Sequence, residues 1–521
     1  MNENGLSRKI YLEMEPPTEE DSASSQQRIQ RALGEKRIKA KMALSVLRKL
    51  YPLCEDANWK VTVSLAWTGE GWEIVELEAG DTTIQHYGLA VDLGSTSVVM
   101  QLLDCGTGKV LAQESMYNRQ IAFGEDILTR IFYSKDNPQH LEEIRRATVD
   151  TFRELMDTLW KTSGIDTKNC ISMVVSGNTT MIHFLIGMDA FCVFSSPYAV
   201  RADVPGFYKG SELDIPVQGY VYCYPGKANY LGGDIISGMI ATGMHKKEEI
   251  TLFFDVGTNG ELVMGNRDFL LCGAGAAGPA LEGGVVKTGM RAACGAVEHV
   301  KLEGNGFVLD VIGACDPQGI CGSGIVDLIS ELFLEGWVDL RGKLQPEMSE
   351  RIAWREEEEQ LGVEYAPGLW FYQNDIDEFL RTKAAAYTMM EILMSEAGMT
   401  LEDVSDFYMA GAFGTHIRKE SAVNIGMYPD VEPERIHTAG NSSLDGARMA
   451  LLDRNVVNEL EDILGLMTYV QFGAVDDFLH KMVAATALPH TDLQRYPSVE
   501  RRLAKRKQKR QSAEKALKRQ K

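Results

Sequence analysis

Two segments of this sequence set an aspartate, a glycine and hydroxyl side chains between apolar runs. The first is Val91-Asp92-Leu93-Gly94-Ser95-Thr96-Ser97, and the second is Phe254-Asp255-Val256-Gly257-Thr258-Asn259-Gly260. Glycine lacks a Cβ, so backbone N–H groups at such a turn can come close to an anion. The neighbouring hydroxyls add donors. Gly94, Ser95, Thr96, Ser97, Gly257, Thr258, Asn259 and Gly260 are therefore expected to bind phosphate. An aspartate would repel phosphate directly. Its use there is to hold Mg²⁺ through water, because Mg²⁺ usually keeps several waters. Asp92 and Asp255 are thus the expected metal-side, catalytic carboxylates. One such turn is most often an ordinary hairpin, but two copies with the same grammar point to ATP held by paired phosphate loops.

Three further stretches could complete such a site. In Leu231-Gly232-Gly233-Asp234-Ile235 a polar turn runs into a helix, where Asp234 either positions an attacking water or caps the helix. Met409-Ala410-Gly411-Ala412-Phe413-Gly414 ends a strand in small residues, against which a base and ribose can lie. Gly322, Ser323 and Gly324 form a similar permissive turn, so Gly322, Ser323, Gly324, Gly411, Ala412, Phe413 and Gly414 are the expected nucleoside contacts. Asn178, Thr179 and Thr180 follow an apolar strand and, with Gly232 and Gly233, are read as cleft or partner residues. The alternative for Asn178-Thr179-Thr180 is a helix-capping turn. His183 lies in an apolar helix and is read as a packed histidine.

The elements that must carry these residues are legible as strand–turn–strand units, at Tyr87–Leu103 and again at Ile250–Met264. A duplicated α/β lobe is expected, residues 87–249 and 250–490, each a mixed sheet with helices on its faces. Residues 1–86 form a small α+β module, with one helix over Gln26–Leu50 and a hairpin through Thr68-Gly69-Glu70-Gly71. Residues 491–521 are a basic tail. Arg501–Lys521 carries eleven Lys and Arg against one acid, and is read as a solvated, partly helical extension, or else an anchor for acidic partners or RNA. At net charge −21 the body is not expected to bind nucleic acid. No apolar run approaches transmembrane length, and the N-terminal residues do not read as a signal peptide, so the chain is expected to be cytoplasmic and off the membrane. The nine cysteines show neither zinc nor iron–sulfur spacing and are read as mostly buried thiols.

In order, these stretches resemble the actin/Hsp70/sugar-kinase superfamily and, within it, the reductive activators of corrinoid proteins. Asn118-Arg119-Gln120 with Gly124-Glu125-Asp126, Ser176-Gly177-Asn178-Thr179-Thr180, Gly232-Gly233-Asp234, Gly319-Ile320-Cys321-Gly322-Ser323-Gly324 and Ala410-Gly411-Ala412-Phe413-Gly414 carry the resemblance. The run from Tyr11 to Pro17 and the strands after Trp59 look like that family's middle domain, so residues 1–86 are read as an N-terminal linker and small middle-like module, and the resemblance covers roughly residues 8 to 490. The resemblance implies a two-lobed ATPase that helps re-reduce an oxidised Co(II) corrinoid protein. It implies ATP and Mg²⁺ as cofactors and a corrinoid protein as partner. Family members carry an iron–sulfur domain. Without iron–sulfur spacing here, no such cluster is expected in this chain, and a separate low-potential donor such as a ferredoxin is expected to supply electrons. Self-association as a homodimer is a further expectation. The alternatives are a non-redox remodeller or sensor of corrinoid proteins, and a small-molecule kinase using Asp126 or Asp234 as base.

Overall fold

The computed structural model describes residues 3–257, 260–275 and 286–520. It divides into two compact units, Met1–Gly243 with Ser442–Leu466, and Met244–Asn441 with Met467–Lys521.

The first unit opens with β1 (Ser7–Glu13), α1 (Ser25–Glu35), β2 (Ala40–Met42), α2 (Leu44–Asp56), β3 (Lys60–Trp67) and β4 (Trp72–Ala79), whose strands pair in the order β1-β3-β4-β2. Ile29, Leu33, Val46 and Leu50 from the helices meet Val61, Val63, Leu65 and Ile74 from the strands. The single helix expected over Gln26–Leu50 is two. Ser24 and Gln27 form a capping box that starts α1. Arg37 then turns left-handed at φ 59, and β2 separates the helices.

Next come β5 (Tyr87–Leu93), β6 (Ser97–Asp104), β7 (Lys109–Tyr117), α3 (Ile127–Ser134), α4 (Pro138–Ser163), β8 (Ser172–Gly177), α5 (Thr179–Leu185), α6 (Phe191–Phe194), β9 (Gly206–Lys209), β10 (Tyr220–Cys223) and α7 (Gly233–Thr242). The sheet order is β7-β6-β5-β8-β10-β9, an antiparallel meander extended by β8 and β10 parallel to β5. The long helix α4 makes the crossover that a parallel neighbour requires.

The second unit contains β11 (Ile250–Val256), β12 (Gly260–Gly265), β13 (Leu270–Gly275), β14 (Ala296–Glu303), β15 (Gly306–Val311), β16 (Gly319–Ile320), α8 (Gly322–Leu334), β17 (Ile352–Arg355), β18 (Gln360–Ala366), β19 (Leu369–Tyr372), α9 (Gln373–Glu396), β20 (Val404–Ala410), α10 (Gly411–His416), α11 (Lys419–Asn424) and β21 (Ile436–Gly440). The chain then returns to the first unit as α12 (Ser442–Leu452) and α13 (Arg454–Leu466). It finishes in the second as β22 (Met467–Tyr469), α14 (Phe478–Ala485) and α15 (Pro497–Gln520). The main sheet, β21-β20-β11-β12-β13-β22, repeats the first unit's plan: a meander, then two strands parallel to its first.

Ser442–Leu466, assigned by sequence to the second lobe, packs in the first unit. The Tyr224 hydroxyl donates to the Gly446 carbonyl at 2.7 Å, and Leu6 N–H to Leu451 at 3.0 Å. At Gly446 a Cβ would strike the Ser237 carbonyl of α7, so the α7–α12 crossing depends on a bare backbone there. Gly446→Ala is expected to cost about 2 kcal/mol by forcing the helices apart. Denaturant unfolding checks this, and a variant as stable as the parent would show that the crossing has slack.

In the second unit the Lys383 ammonium is fully buried and donates to the carbonyls of Ala485, Ala487 and Pro489 at 2.5, 2.6 and 2.6 Å. The basic tail is not a free extension through its first half. Tyr496 and Val499 are buried, and Arg502, Arg506 and Arg510, spaced i, i+4 and i+8, lie on one face of α15. Arg506 pairs with Glu335 at 2.6 Å and Glu331 at 3.4 Å on α8, where the acids draw the helix down. No helix among the described residues is long and apolar enough to cross a membrane.

Candidate functional site

Asp92 is the penultimate residue of β5, at the carboxyl end, between Val99 of β6 and Ser176 of β8. The turn that follows is tight, since a Cβ on Gly94 would stand 2.5 Å from the Ser97 carbonyl. Its carbonyls are held from the protein side. Asn118 donates its side-chain amide to Gly94 and its backbone N–H to Thr96, both at 2.9 Å, and Arg130 donates to Ser95 at 2.7 Å. In a trans peptide the N–H points opposite to the carbonyl. The N–H groups of Ser95, Thr96 and Ser97 are therefore directed away from these anchors, as an anion-binding turn requires.

Arg130 is the anchor that the sequence did not disclose. It is wholly buried on α3 and also donates to the carbonyls of Gly124 at 2.7 Å and Glu125 at 3.1 Å. Burial pulls its guanidinium down to about 10, against an opposing pull from Asp126, and it stays charged at neutral pH. The Asn118-to-Asp126 stretch thus acts as a brace for the turn after β5. Asp126 itself caps α3, accepting from the Thr129 N–H at 2.8 Å and hydroxyl at 2.7 Å, and those bonds hold its carboxyl low. A carboxylate so committed is a poor general base, which leaves Asp234 as the remaining candidate base for the kinase alternative.

A second feature missed in the sequence is a chain of hydroxyls. Ser443, near the start of α12, donates to the Asp92 carboxylate at 2.8 Å. Its oxygen lies 3.0 Å from Ser176 Oγ, and Ser176 lies 2.8 Å from Ser237 Oγ of α7. All three serines are buried. Three elements, α12, β8 and α7, thus contribute a hydroxyl chain that ends on one carboxylate. The only signal was a pair of serines before an apolar helix, which reads as a cap. Ser443→Ala is expected to lower nucleotide turnover about tenfold, since the Asp92 carboxylate loses one charge-assisted hydrogen bond. Steady-state phosphate release checks it, and unchanged turnover would show that Asp92 is oriented without Ser443.

Gly232, rather than Asp234, is the N-cap of α7, and Asp234 sits in the first turn, where the helix dipole favours a negative charge. A Cβ on Gly232 would stand 2.5 Å from Asn178 Cα and Thr179 N, and one on Gly233 2.6 Å from Tyr224 Cβ. The glycines serve to seat α7 on the start of α5. Asn178 caps α5 through the Met181 N–H at 3.0 Å, Thr179 donates to the Ala228 carbonyl at 3.0 Å, and Thr180 is buried. Thr179 and Thr180 face inward, so the capping alternative describes this turn better than a partner surface. His183 donates from Nδ1 to the Thr179 carbonyl at 2.7 Å and accepts the N–H groups of Arg201 and Ala202 at Nε2. Burial lowers its pKa, and it is a neutral, packed histidine.

In the second unit Asp255 is also penultimate in its strand, between Glu261 of β12 and Ala410 of β20. It occupies the topological position that Asp92 holds in the first sheet. Gly257 follows the strand and Gly260 opens β12. Thr258 and Asn259 lie outside the described residues. Cys321 caps α8 without a side-chain bond, and Gly322, Ser323 and Gly324 are buried in its first turn. Gly324 lets α8 close onto the Val297 carbonyl of β14. Gly411, at φ 80, turns the chain from β20 into α10, and a Cβ on Gly414 would stand 2.5 Å from the Met409 carbonyl. Ala412 and Phe413 lie in α10, with side chains outside the described set. Among the described residues no three potential metal ligands cluster.

Comparison with known proteins gives a consistent picture. Family models for the RACo linker region, the RACo middle region and the C-terminal ASKHA domain of RACo match residues 4–84, 87–247 and 249–500. The N-terminal module, read as a linker with a middle-like part, matches the linker region, and the middle region falls on the first lobe instead. The chain is 31% identical over 473 residues to the corrinoid activation enzyme RamQ of Eubacterium limosum, covering 85% of this chain and 79% of that protein. It is 26% identical over 266 residues to a [Co(II) methylated amine-specific corrinoid protein] reductase of Methanosarcina barkeri, covering 47% and 46%. A solved reductive activator for corrinoid, iron-sulfur protein superposes with a TM-score of 0.87 at 35% identity, covering 95% of this chain and 81% of that one. The fold is the two-lobed α/β ASKHA architecture expected from the paired hairpins.

Proposed function

The chain belongs to the family of reductive activators of corrinoid proteins, and from that premise we propose that it uses ATP to help return an oxidised Co(II) corrinoid protein to its reduced state. The observation that carries the ATP part is the equivalence of Asp92 and Asp255, each penultimate in the first strand of a duplicated sheet. ATP with Mg²⁺ would supply the free energy for a difficult reduction. The N–H groups of Ser95, Thr96 and Ser97 bind phosphate, joined by the turn from Gly257 to Gly260. Asp92 and Asp255 hold the hydrated Mg²⁺, Asp234 orients a water, and the Gly322–Gly324 and Gly411–Gly414 turns carry the nucleoside. Electrons come from a separate low-potential donor such as a ferredoxin, because none of the nine cysteines has iron–sulfur spacing. The working compartment is the cytoplasm.

Association with a Co(II) corrinoid protein, measured by calorimetry with and without ATP and Mg²⁺, tests the reading. Nucleotide is expected to tighten binding about tenfold, a coupling of about 1.4 kcal/mol. Equal affinity with and without nucleotide would sink it, and ADP release that depends on a small-molecule acceptor would favour the kinase.

A further inference from the structure

Seven of the nine cysteines are buried, while Cys294 and Cys315 are exposed, with their sulfurs 2.9 Å apart. The hairpin β14–β15 brings them together. Its pairing ends with Gly295 N–H on the Ile312 carbonyl at 2.9 Å and Ile312 N–H on Ala296 at 3.0 Å, which leaves Cys294 just outside the ladder. Beyond it Gly313 and Ala314 both take left-handed conformations, at φ 84 and 50, and fold Cys315 back over Cys294. For alanine that conformation is uphill, so the turn is held by its surroundings. A Cβ on Gly313 would stand 2.6 Å from Cys294 Sγ, so the glycine also leaves room for the thiol. Two sulfurs this close are within van der Waals contact and about 1 Å from the length of a disulfide. The pair sits on a strand that matters to the rest of the unit. Gln318 N–H donates to the Gly295 carbonyl at 2.8 Å, and β16, paired with β14, runs directly into α8.

We propose that Cys294 and Cys315 form a reactive dithiol that a low-molecular-weight disulfide converts to an intramolecular disulfide, locking the strand pair that delivers α8. One thiolate attacks the small disulfide, forming a mixed disulfide and releasing one thiol. The second thiolate then attacks the protein sulfur of that bond and releases the other. Two electrons pass from the cysteine pair to the small disulfide, one S–S bond is exchanged for another, and the two protons leave on the released thiols. In a reducing compartment the pair stays open and closes on transient oxidation. The other seven thiols are buried and do not compete. The hydrogen bond with Cys315 holds the Cys294 thiol above its ordinary value, so exposure and proximity, not a lowered pKa, select this pair.

The full chain, reduced and freed of reductant, is treated with oxidised glutathione, digested without reduction and mapped by mass spectrometry. The expected product links the Cys294 and Cys315 peptides, with two thiols lost and the remaining seven titratable only after unfolding. Cys315→Ser should instead keep glutathione on Cys294. Gly313→Val, which displaces the Cys294 thiol, should lower the cross-link yield while both thiols remain titratable. Amide exchange at Gly295 and Gln318 should slow about tenfold in the oxidised chain. Glutathione on both cysteines without a cross-link, or no loss of thiols from the folded chain, would overturn the proposal, as would unchanged amide exchange.

Discussion

Asp92→Asn is expected to lower magnesium-dependent ATP turnover by about 100-fold, roughly 2.7 kcal/mol of transition-state stabilisation. The substitution keeps the shape of the side chain and its bond from the Ser443 hydroxyl. It removes only the negative charge that would face hydrated Mg²⁺ at the end of β5. The turn itself should not move, because its carbonyls are held by Asn118 and Arg130, neither of which touches the changed atom. Unfolding should therefore shift by less than about 0.5 kcal/mol. Asp255→Asn should behave alike, since Asp255 holds the same node of the second sheet. Phosphate release with and without Mg²⁺ decides the matter. Full turnover in both variants would mean that the paired aspartates are strand ends and nothing more.

Lys383→Met is expected to lower the stability of the chain by about 3 kcal/mol, about 6–12 °C in the unfolding of a unit this size. The substitution leaves three buried carbonyls without donors after α14. Burial pulls the Lys383 ammonium down to about 7. An unfolded lysine titrates near 10.4. Between about pH 7 and 10.4 the unfolded chain holds the proton that the folded chain gives up, so stability rises with pH across that window. Below about 7 both states are protonated and the difference is flat. The stability gap between parent and Lys383→Met should accordingly widen from pH 7 to pH 9. Parallel urea titrations at the two values check the sign, and a gap that narrows would place the lysine's pKa above its unfolded value.

The strand ends that carry Asp92 and Asp255 were legible in the sequence because they depend on local rules. Asp92, Gly94 and the hydroxyls after them announce a tight turn between apolar strands, and the same holds for Asp255 and Gly257. What escaped detection depends on distant partners. Arg130 is one cation on an amphipathic helix, and nothing in its neighbours says that it reaches the Ser95 carbonyl. Ser443 reads as a capping residue until α12 is set against β5 and β8. The Gln26–Leu50 helix was overextended because apolar spacing outweighed Gly34 and the left-handed Arg37. The tail reads as a solvated, partly helical extension because its acidic counterparts, Glu331 and Glu335, lie far away in sequence.

The return of Ser442–Leu466 to the first unit governs the order of events during synthesis. That unit's sheet can be complete once β10 and α7 have emerged, yet the helix that covers β5 and supplies Ser443 is translated almost 200 residues later. At about 5–20 residues per second, this leaves an interval of roughly 10–40 s. Throughout it, the surface that α12 will bury is open, and the Asp92 carboxylate lacks its serine. A nascent chain stalled before Asn441 should thus be protease-sensitive in its N-terminal half, and release from the ribosome past Leu466 should protect both halves together.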